Sequence, residues 1–223
     1  MVQMQLHKYF DHTLLKPEAT AEQIEKLCAE ALKYNFYAVC VNSSHVPLAV
    51  RHLREGDVKV AAVCGFPLGA CTTAAKAFEA EEACRAGACE IDMVLHVGRL
   101  KDNDLDYVRE DIRAVVLAAA KYGAIVKVIL ETCLLTGEEI VTACRLSKEA
   151  GAAFVKTSTG FNAGGATAAD VYLMKKSVGN SMQVKASGGI RTLSDALVMI
   201  EAGADRIGAS ASVEIIKEAE KML

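Results

Sequence analysis

Short runs rich in Val, Ile, Ala and Cys alternate along the chain with longer stretches whose apolar positions recur at helical spacing. The short runs predict strands at Asp11–Leu15, Tyr37–Asn42, Lys59–Gly65, Glu90–Val97, Val126–Thr132, Phe154–Thr159, Gln183–Ser187 and Arg206–Ala209. The amphipathic stretches predict helices at Ala21–Tyr34, Thr73–Ala86, Asp104–Lys121, Gly137–Ala150, Thr167–Val178, Leu193–Ala202 and Val213–Lys221, with a weaker helical stretch near Val46–Arg54. Strand and helix in turn is the pattern of a parallel α/β protein. No linker rich in Pro, Ser or Gly divides the chain, so residues 1–223 read as one domain.

An internal repeat sharpens this picture. Ala-Gly-Ala occurs at 86–88, 150–152 and 202–204, each time where a helix closes and a strand opens, and Tyr122-Gly123-Ala124 is a looser copy. The glycine suits the left-handed position that ends a helix. Five residues beyond the first three glycines lie Asp92, Lys156 and Gly208, on the fourth, sixth and eighth strands. Eight such units predict a single-domain (β/α)8 barrel, whose interior layers take side chains from alternate strands. Equal phase then places Asp92, Lys156 and Gly208 in one interior layer. The rival, a doubly wound open sheet, lacks a Gly-x-Gly-x-x-Gly fingerprint in the first turns.

Lys127, Lys156 and Lys185 lie on three successive strands, each preceded by valine. Lysine is a poor strand and core residue, so its presence there calls for an explanation. One account has these lysines snorkelling outward, or paired with Asp92 and Glu131 in a structural network. The other is an amine nucleophile. A free lysine, with a pKa near ~10.4, is protonated at neutral pH. Burial and a neighbouring ammonium both favour the neutral amine. A lysine cluster with one carboxylate supplies what imine chemistry needs.

Glycine- and serine-rich turns follow the last three predicted strands: Thr157-Ser158-Thr159-Gly160, Ser187-Gly188-Gly189-Ile190 and Gly208-Ala209-Ser210-Ala211-Ser212. Ordinary turn chemistry accounts for one such loop. Three at one end of a barrel, beside the lysines, point to a phosphorylated small substrate.

Composition narrows the class. With 223 residues, 52% of them hydrophobic, the chain builds a sizeable core and disorder is excluded. A net charge of −3 without a basic tail argues against nucleic acid as a partner. The uncharged stretch from Val60 to Ala75 is short and broken by Gly65, Pro67 and Gly69, so no membrane span is expected. The N-terminal residues show no apolar signal region, which points to the cytoplasm. Eight cysteines occur without a Cys-x-x-Cys, the pattern of reduced thiols serving as small hydrophobes. The five histidines form no His-x-x-x-His or Cys/His cluster, so no metal is expected; no other cofactor is expected either. His96, ending a strand, is read as lining the mouth or as a packed or capping residue.

Five segments in order, Asp11-His-Thr-Leu-Leu-Lys-Pro17, Glu90-Ile-Asp-Met-Val94, Val126-Lys-Val-Ile-Leu-Glu-Thr-Cys-Leu-Leu-Thr136, Phe154-Val-Lys-Thr-Ser-Thr-Gly160 and Val184-Lys-Ala-Ser-Gly-Gly-Ile190, resemble the 2-deoxyribose-5-phosphate aldolase family. The resemblance runs from about Asp11 to Ser212. It implies a metal-independent Schiff-base aldolase that interconverts 2-deoxy-D-ribose 5-phosphate with D-glyceraldehyde 3-phosphate and acetaldehyde in deoxynucleoside breakdown. By position, Lys156 matches the imine-forming lysine, Lys185 the second lysine that tunes it, and Asp92 the proton-transfer carboxylate. Gly160, Gly188, Gly189, Gly208 and Ser210 match the phosphate-binding end, and Thr13, Asn42 and Lys127 match substrate contacts. The expected partners are this sugar phosphate and acetaldehyde, with no nucleic acid and no membrane; homo-oligomers are common among such folds. Three positions depart from the family: His96 stands for a common Asn, Cys89 for a usual Asp, and Phe161 for a Lys that some relatives carry after the glycine. Phe161 removes one phosphate cation, for which Arg191 is the expected substitute. Two other readings compete: a Schiff-base aldolase for another sugar phosphate, and a non-catalytic barrel with structural lysines.

Overall fold

Eight parallel strands close on themselves, each paired with its neighbours in sequence order and the last with the first: β1 (Phe10–Leu14), β2 (Ala38–Val41), β3 (Lys59–Cys64), β4 (Glu90–Val94), β5 (Ile125–Ile129), β6 (Phe154–Lys156), β7 (Gln183–Ser187) and β8 (Arg206–Ala209). The helices are α1 (Ala21–Lys33), α2 (Val46–Leu53), α3 (Thr73–Arg85), α4 (Val97–Lys101), α5 (Leu105–Ala120), α6 (Gly137–Glu149), α7 (Ala168–Val178), α8 (Leu193–Glu201) and α9 (Ser212–Glu220). This is the expected (β/α)8 barrel, seen in a computed structural model that describes residues 5–222. Among the described residues no helix is long and apolar enough to cross a membrane.

Side chains alternate across each strand, and the two sides of the sheet differ in chemistry. Outward residues such as Val39, Val41, Ile91, Met93, Val126, Val128 and Ile207 join the helices in one continuous apolar layer. Each fully buried Val, Leu or Ile contributes roughly 1.5–3 kcal/mol, so this layer carries most of the stability. The lumen is split instead. Its β1–β3 side is a small apolar cluster of Leu15, Cys40, Ala61 and Val63. Its β4–β8 side, joined by Asp11 of β1 next to β8, is polar and charged.

Local signals set the helix ends. Thr20 with Gln23, Thr136 with Glu139, and Thr192 with Asp195 form reciprocal capping boxes at the starts of α1, α6 and α8. Such a cap is worth about 1 kcal/mol. The three Ala-Gly-Ala glycines, Gly87, Gly151 and Gly203, sit at φ of +107°, +87° and +108°, where a Cβ is disfavoured, and each stops a helix as the repeat predicts. The weak stretch at Val46 is a true helix, α2, with Pro47 in its first turn, where a missing N–H costs nothing. Between α3 and α5, Lys76 and Asp111 form a fully buried ion pair at 2.5 Å, and Thr73 donates to the other carboxylate oxygen at 2.8 Å.

Several predicted strands run too long at their C-terminal ends. Predicted Glu90–Val97 ends at Val94, Val126–Thr132 at Ile129, and Phe154–Thr159 at Lys156. The extra residues keep single backbone bonds to the next strand, such as Leu130 N to Lys156 O at 2.9 Å and Thr132 N to Thr157 O at 3.0 Å, before the chain leaves the ladder. At β4 the stop is chemical. His96 Nδ1 accepts from Arg99 N at 3.3 Å and starts the short helix α4, which the sequence pattern does not predict and whose first residue, Val97, falls within the predicted strand.

Candidate active site

The three strand lysines point into the lumen and converge on one carboxylate. Lys127 Nζ on β5 donates to Asp92 Oδ1 at 2.7 Å, while Lys156 Nζ on β6 and Lys185 Nζ on β7 both reach Asp92 Oδ2 at 2.8 Å. Strands β4 and β7 are not neighbours in the sheet, so these contacts pass through the barrel interior. Asp11 of β1 takes Lys185 on Oδ2 at 2.5 Å and Arg206 on Oδ1 at 2.8 Å. Glu90 accepts from Lys127 at 2.5 Å and lies 3.5 Å from Arg206, whose guanidinium stacks on the Tyr37 ring at 3.4 Å. The outward-snorkelling account of the lysines is thereby excluded. Glu131 is also no member of this network. It binds Thr159 and Asn162 instead.

Asp92, Lys156 and Gly208 meet the same interior, as the repeat phase requires: a Cβ on Gly208 would lie 2.9 Å from Lys185 Cε, so glycine leaves the room that Lys185 occupies. Two residues earlier in each copy, the same phase falls on Glu90, Phe154 and Arg206. Arg206 touches both of the others, lying 5.4 Å from the Phe154 ring. The sequence reading did not use this second layer, although the repeat carried it.

Electrostatics fix most of the charges. Burial opposes ionisation of Asp92, but Lys127, Lys156 and Lys185 outweigh it and hold the carboxyl well below the usual range. Asp11 is likewise held low, with burial overcome by Lys185, Lys127 and Arg206. Burial disfavours the Lys127 and Lys185 ammoniums, yet the carboxylates around them win and push both upward. Both therefore stay charged at neutral pH. The Cys40 thiol, 3.9 Å from Asp92, is pushed up to about 11 by burial and then by that carboxylate, so it stays protonated.

Above this network, at the C-terminal ends of the strands, lies a cleft of about 330 Å³. Lys156, 2% exposed, is the network residue on its wall. Thr13, Gly160, Gly188, Gly189, Gly208 and Ser210 line the cleft together with Arg191 and Lys16. The Gly188 backbone approaches Gly165 so closely that a Cβ on Gly188 would stand 3.1 Å from Gly165 Cα, with Gly160 Cα in ordinary contact at 3.5 Å. A side chain at Gly188 would press on the Gly165 backbone and push those two loop segments apart.

Two expected substrate contacts sit elsewhere. Lys127 is fully buried beneath Asp92, and Asn42 donates to Leu15 O at 3.3 Å, bracing the loop after β1. His96 is the capping residue already described, with its ring edge-on to Tyr107 at 5.6 Å. Phe161 lines the cleft and packs edge-on against Phe66 at 5.1 Å. Lys16 was not anticipated as a cleft residue. Its place in the turn directly after β1, at the same barrel end as the glycine loops, was the available signal.

Comparison with known proteins places the whole chain. The family described as DeoC/LacD family aldolase matches residues 6–217. A deoxyribose-phosphate aldolase of Thermococcus gammatolerans is 61% identical over 98% of this chain and 98% of its own length. A deoxyribose-phosphate aldolase of Thermoanaerobacter sp. is 59% identical over 98% of this chain and 99% of its own. The tetrameric deoxyribose phosphate aldolase of Aeropyrum pernix superposes with a TM-score of 0.91 at 35% identity, over 98% of this chain and 92% of that one.

Proposed function

The chain belongs to the DeoC/LacD family of aldolases, and from that premise we propose that it cleaves 2-deoxy-D-ribose 5-phosphate reversibly to D-glyceraldehyde 3-phosphate and acetaldehyde through an imine on Lys156. One observation carries the assignment. Lys156 is the network amine that lines the cleft, and it rests 2.8 Å from a carboxylate shared with the buried ammonium of Lys185.

Charge balance supports Lys156 as the nucleophile. Asp11, Glu90 and Asp92 face Lys127, Lys156, Lys185 and Arg206, so the cluster is neutral when one lysine is uncharged. Lys127 and Lys185 each hold two or more carboxylates, whereas Lys156 holds only Asp92 among the described residues. The free amine of Lys156 attacks C1 of the open-chain sugar, and loss of water leaves an iminium. The C3 hydroxyl gives up its proton, the C2–C3 bond breaks, and its electrons pass into the iminium to form an enamine. Glyceraldehyde 3-phosphate departs. Protonation at C2 and hydrolysis release acetaldehyde and regenerate the amine.

The held charges support a division of the proton traffic. Ionised Asp92 accepts protons directly or through water, and protonated Lys185 supplies them along the shared oxygen. The phosphate lies against the Gly160, Gly188–Gly189 and Gly208–Ser210 backbones near the start of α9, with Arg191 and Lys16 as its cations. The reaction belongs to cytoplasmic breakdown of deoxyribose phosphates, and the tetrameric relative supports assembly of this chain into a homo-oligomer.

Borohydride reduction in the presence of acetaldehyde tests the assignment. An ethyl adduct on the peptide carrying Lys156, absent from Lys156→Ala, is expected. A folded protein with no adduct at any lysine overturns it.

A further inference from the structure

The loop after β6 carries Thr159, Gly160 and Phe161 to the cleft, with Thr159 buried and Phe161 half exposed. It is tethered from beneath by Glu131, which directly follows the last residue bonded from β5 to Lys156 O. Glu131 is 1% exposed and no cation touches it among the described residues. Its Oε2 accepts from Thr159 Oγ1 at 2.5 Å and from Asn162 Nδ2 at 2.9 Å, and its Oε1 accepts from Thr159 N at 3.2 Å. The Thr159 hydroxyl, while donating to Glu131, accepts from Phe161 N at 3.1 Å. The residues on both sides of Gly160 are thus tied to one carboxylate, directly or through one hydroxyl. Glu131 itself stands at φ +58°, a left-handed conformation uncommon for a residue with a side chain. A buried carboxylate without a cation is costly, and its compensation is this set of loop donors. The same β5–α6 turn braces the loop a second time. Cys133 packs so tightly on Gly164 that a Cβ there would lie 2.4 Å from Cys133 Cβ.

We propose that Glu131 is a positioning residue for the phosphate end of the substrate: its carboxylate holds the Thr159–Asn162 loop in the shape that presents Gly160 to the phosphate, and it takes no part in the carbon chemistry at Lys156. The inference rests on the aldolase reading above. It separates two halves of one site, the lysine network in the barrel and the anion cradle in the loops.

The test compares 2-deoxy-D-ribose 5-phosphate with unphosphorylated 2-deoxy-D-ribose in Glu131→Gln. The amide keeps the shape of the side chain but loses the charge and one acceptor. KM for the phosphorylated sugar is expected to rise by about tenfold or more, the factor for losing a charge-assisted hydrogen bond. The kcat, the kcat/KM for the unphosphorylated sugar and borohydride trapping at Lys156 are expected to stay within about twofold, since they use none of the lost bonds. Asn162→Ala removes one loop donor from an exposed position and is expected to move KM in the same direction by less. It decides the matter if Glu131→Gln does not fold. Equal losses with both sugars, or no loss with either, overturn the proposal. A wild-type enzyme that traps acetaldehyde but handles both sugars alike overturns the phosphate reading itself, a result distinguishable from failure of the variants.

Discussion

Lys185 reaches Asp92 across the barrel at 2.8 Å, on the very carboxylate oxygen that Lys156 also binds. One oxygen between two amines brings the held ammonium of Lys185 next to the lysine on the cleft wall. On the reading proposed above, the arrangement joins a proton source, a proton acceptor and a nucleophile.

Replacing Lys185 with leucine removes that ammonium and leaves Asp11 and Asp92 facing each other with one cation fewer. The kcat for cleavage is expected to fall by about 100-fold or more, the scale of a lost acid–base group. Stability is expected to fall by about 3–5 kcal/mol, as for a broken buried pair. Kinetics together with urea unfolding check both. A variant that keeps wild-type kcat would remove Lys185 from the proton path.

Acid stability should report Asp11 and Asp92. Both have folded pKa values below those of the unfolded chain, so unfolding takes up protons at low pH. Their contribution is present above the unfolded value, about 3.9, and is lost as pH falls through the folded value. Lys127 and Lys185 are shifted upward, so their contribution is present below about 10.4 and lost at higher pH. Asp11→Asn deletes one proton of uptake, which lowers the slope of stability below pH 4 by up to about 1.4 kcal/mol per pH unit. Urea midpoints measured from pH 2.5 to 5 show this as a flatter acid limb, and parallel limbs would count against it.

Outside the barrel, Lys76 and Asp111 form a buried pair of a different kind, remote from the cleft. Asp111→Ala strands the Lys76 ammonium and is expected to cost about 3–5 kcal/mol. The double variant Lys76→Met, Asp111→Leu should recover most of that loss, because packed apolar side chains replace such pairs at little cost. Trapping at Lys156 should be unchanged in every folded variant. Thermal unfolding of the single and double variants settles the order.

Thiol labelling separates structural from accessible cysteines. Cys71 and Cys133 are exposed, whereas Cys28, Cys40, Cys64, Cys84 and Cys144 are buried. Burial raises Cys28, Cys40 and Cys84 to about 11 and Cys144 to about 12. Iodoacetamide at pH 7.5 should therefore modify Cys71 and Cys133 in the native protein and spare these five until it is unfolded. Peptide mass mapping reads the outcome. Rapid labelling of Cys40 in the folded protein would contradict the closed apolar side of the lumen.

Much of this protein was legible before folding because its signals are local. Helix-stopping glycines, capping threonines and apolar runs act within a few residues. The phase of the Ala-Gly-Ala repeat therefore placed Asp92, Lys156 and Gly208 in one interior, and the same phase also held Glu90 and Arg206. Three lysines preceded by valine marked a candidate site, since ammonium groups on apolar strands need carboxylates gathered around them. Closure of the barrel decided the rest. Asp11 and Lys185 are 174 positions apart and meet only because β8 returns to β1. Glu131 looked like a partner for the strand lysines, yet the chain turns left-handed at that residue and sends its carboxylate to the Thr159 loop. Strand ends were overrun for a related reason: β propensity does not register where a neighbouring strand stops offering partners. Sequence carries what a residue does to its near neighbours along the chain, while the meeting of distant charges is set by the one closed arrangement that satisfies them all.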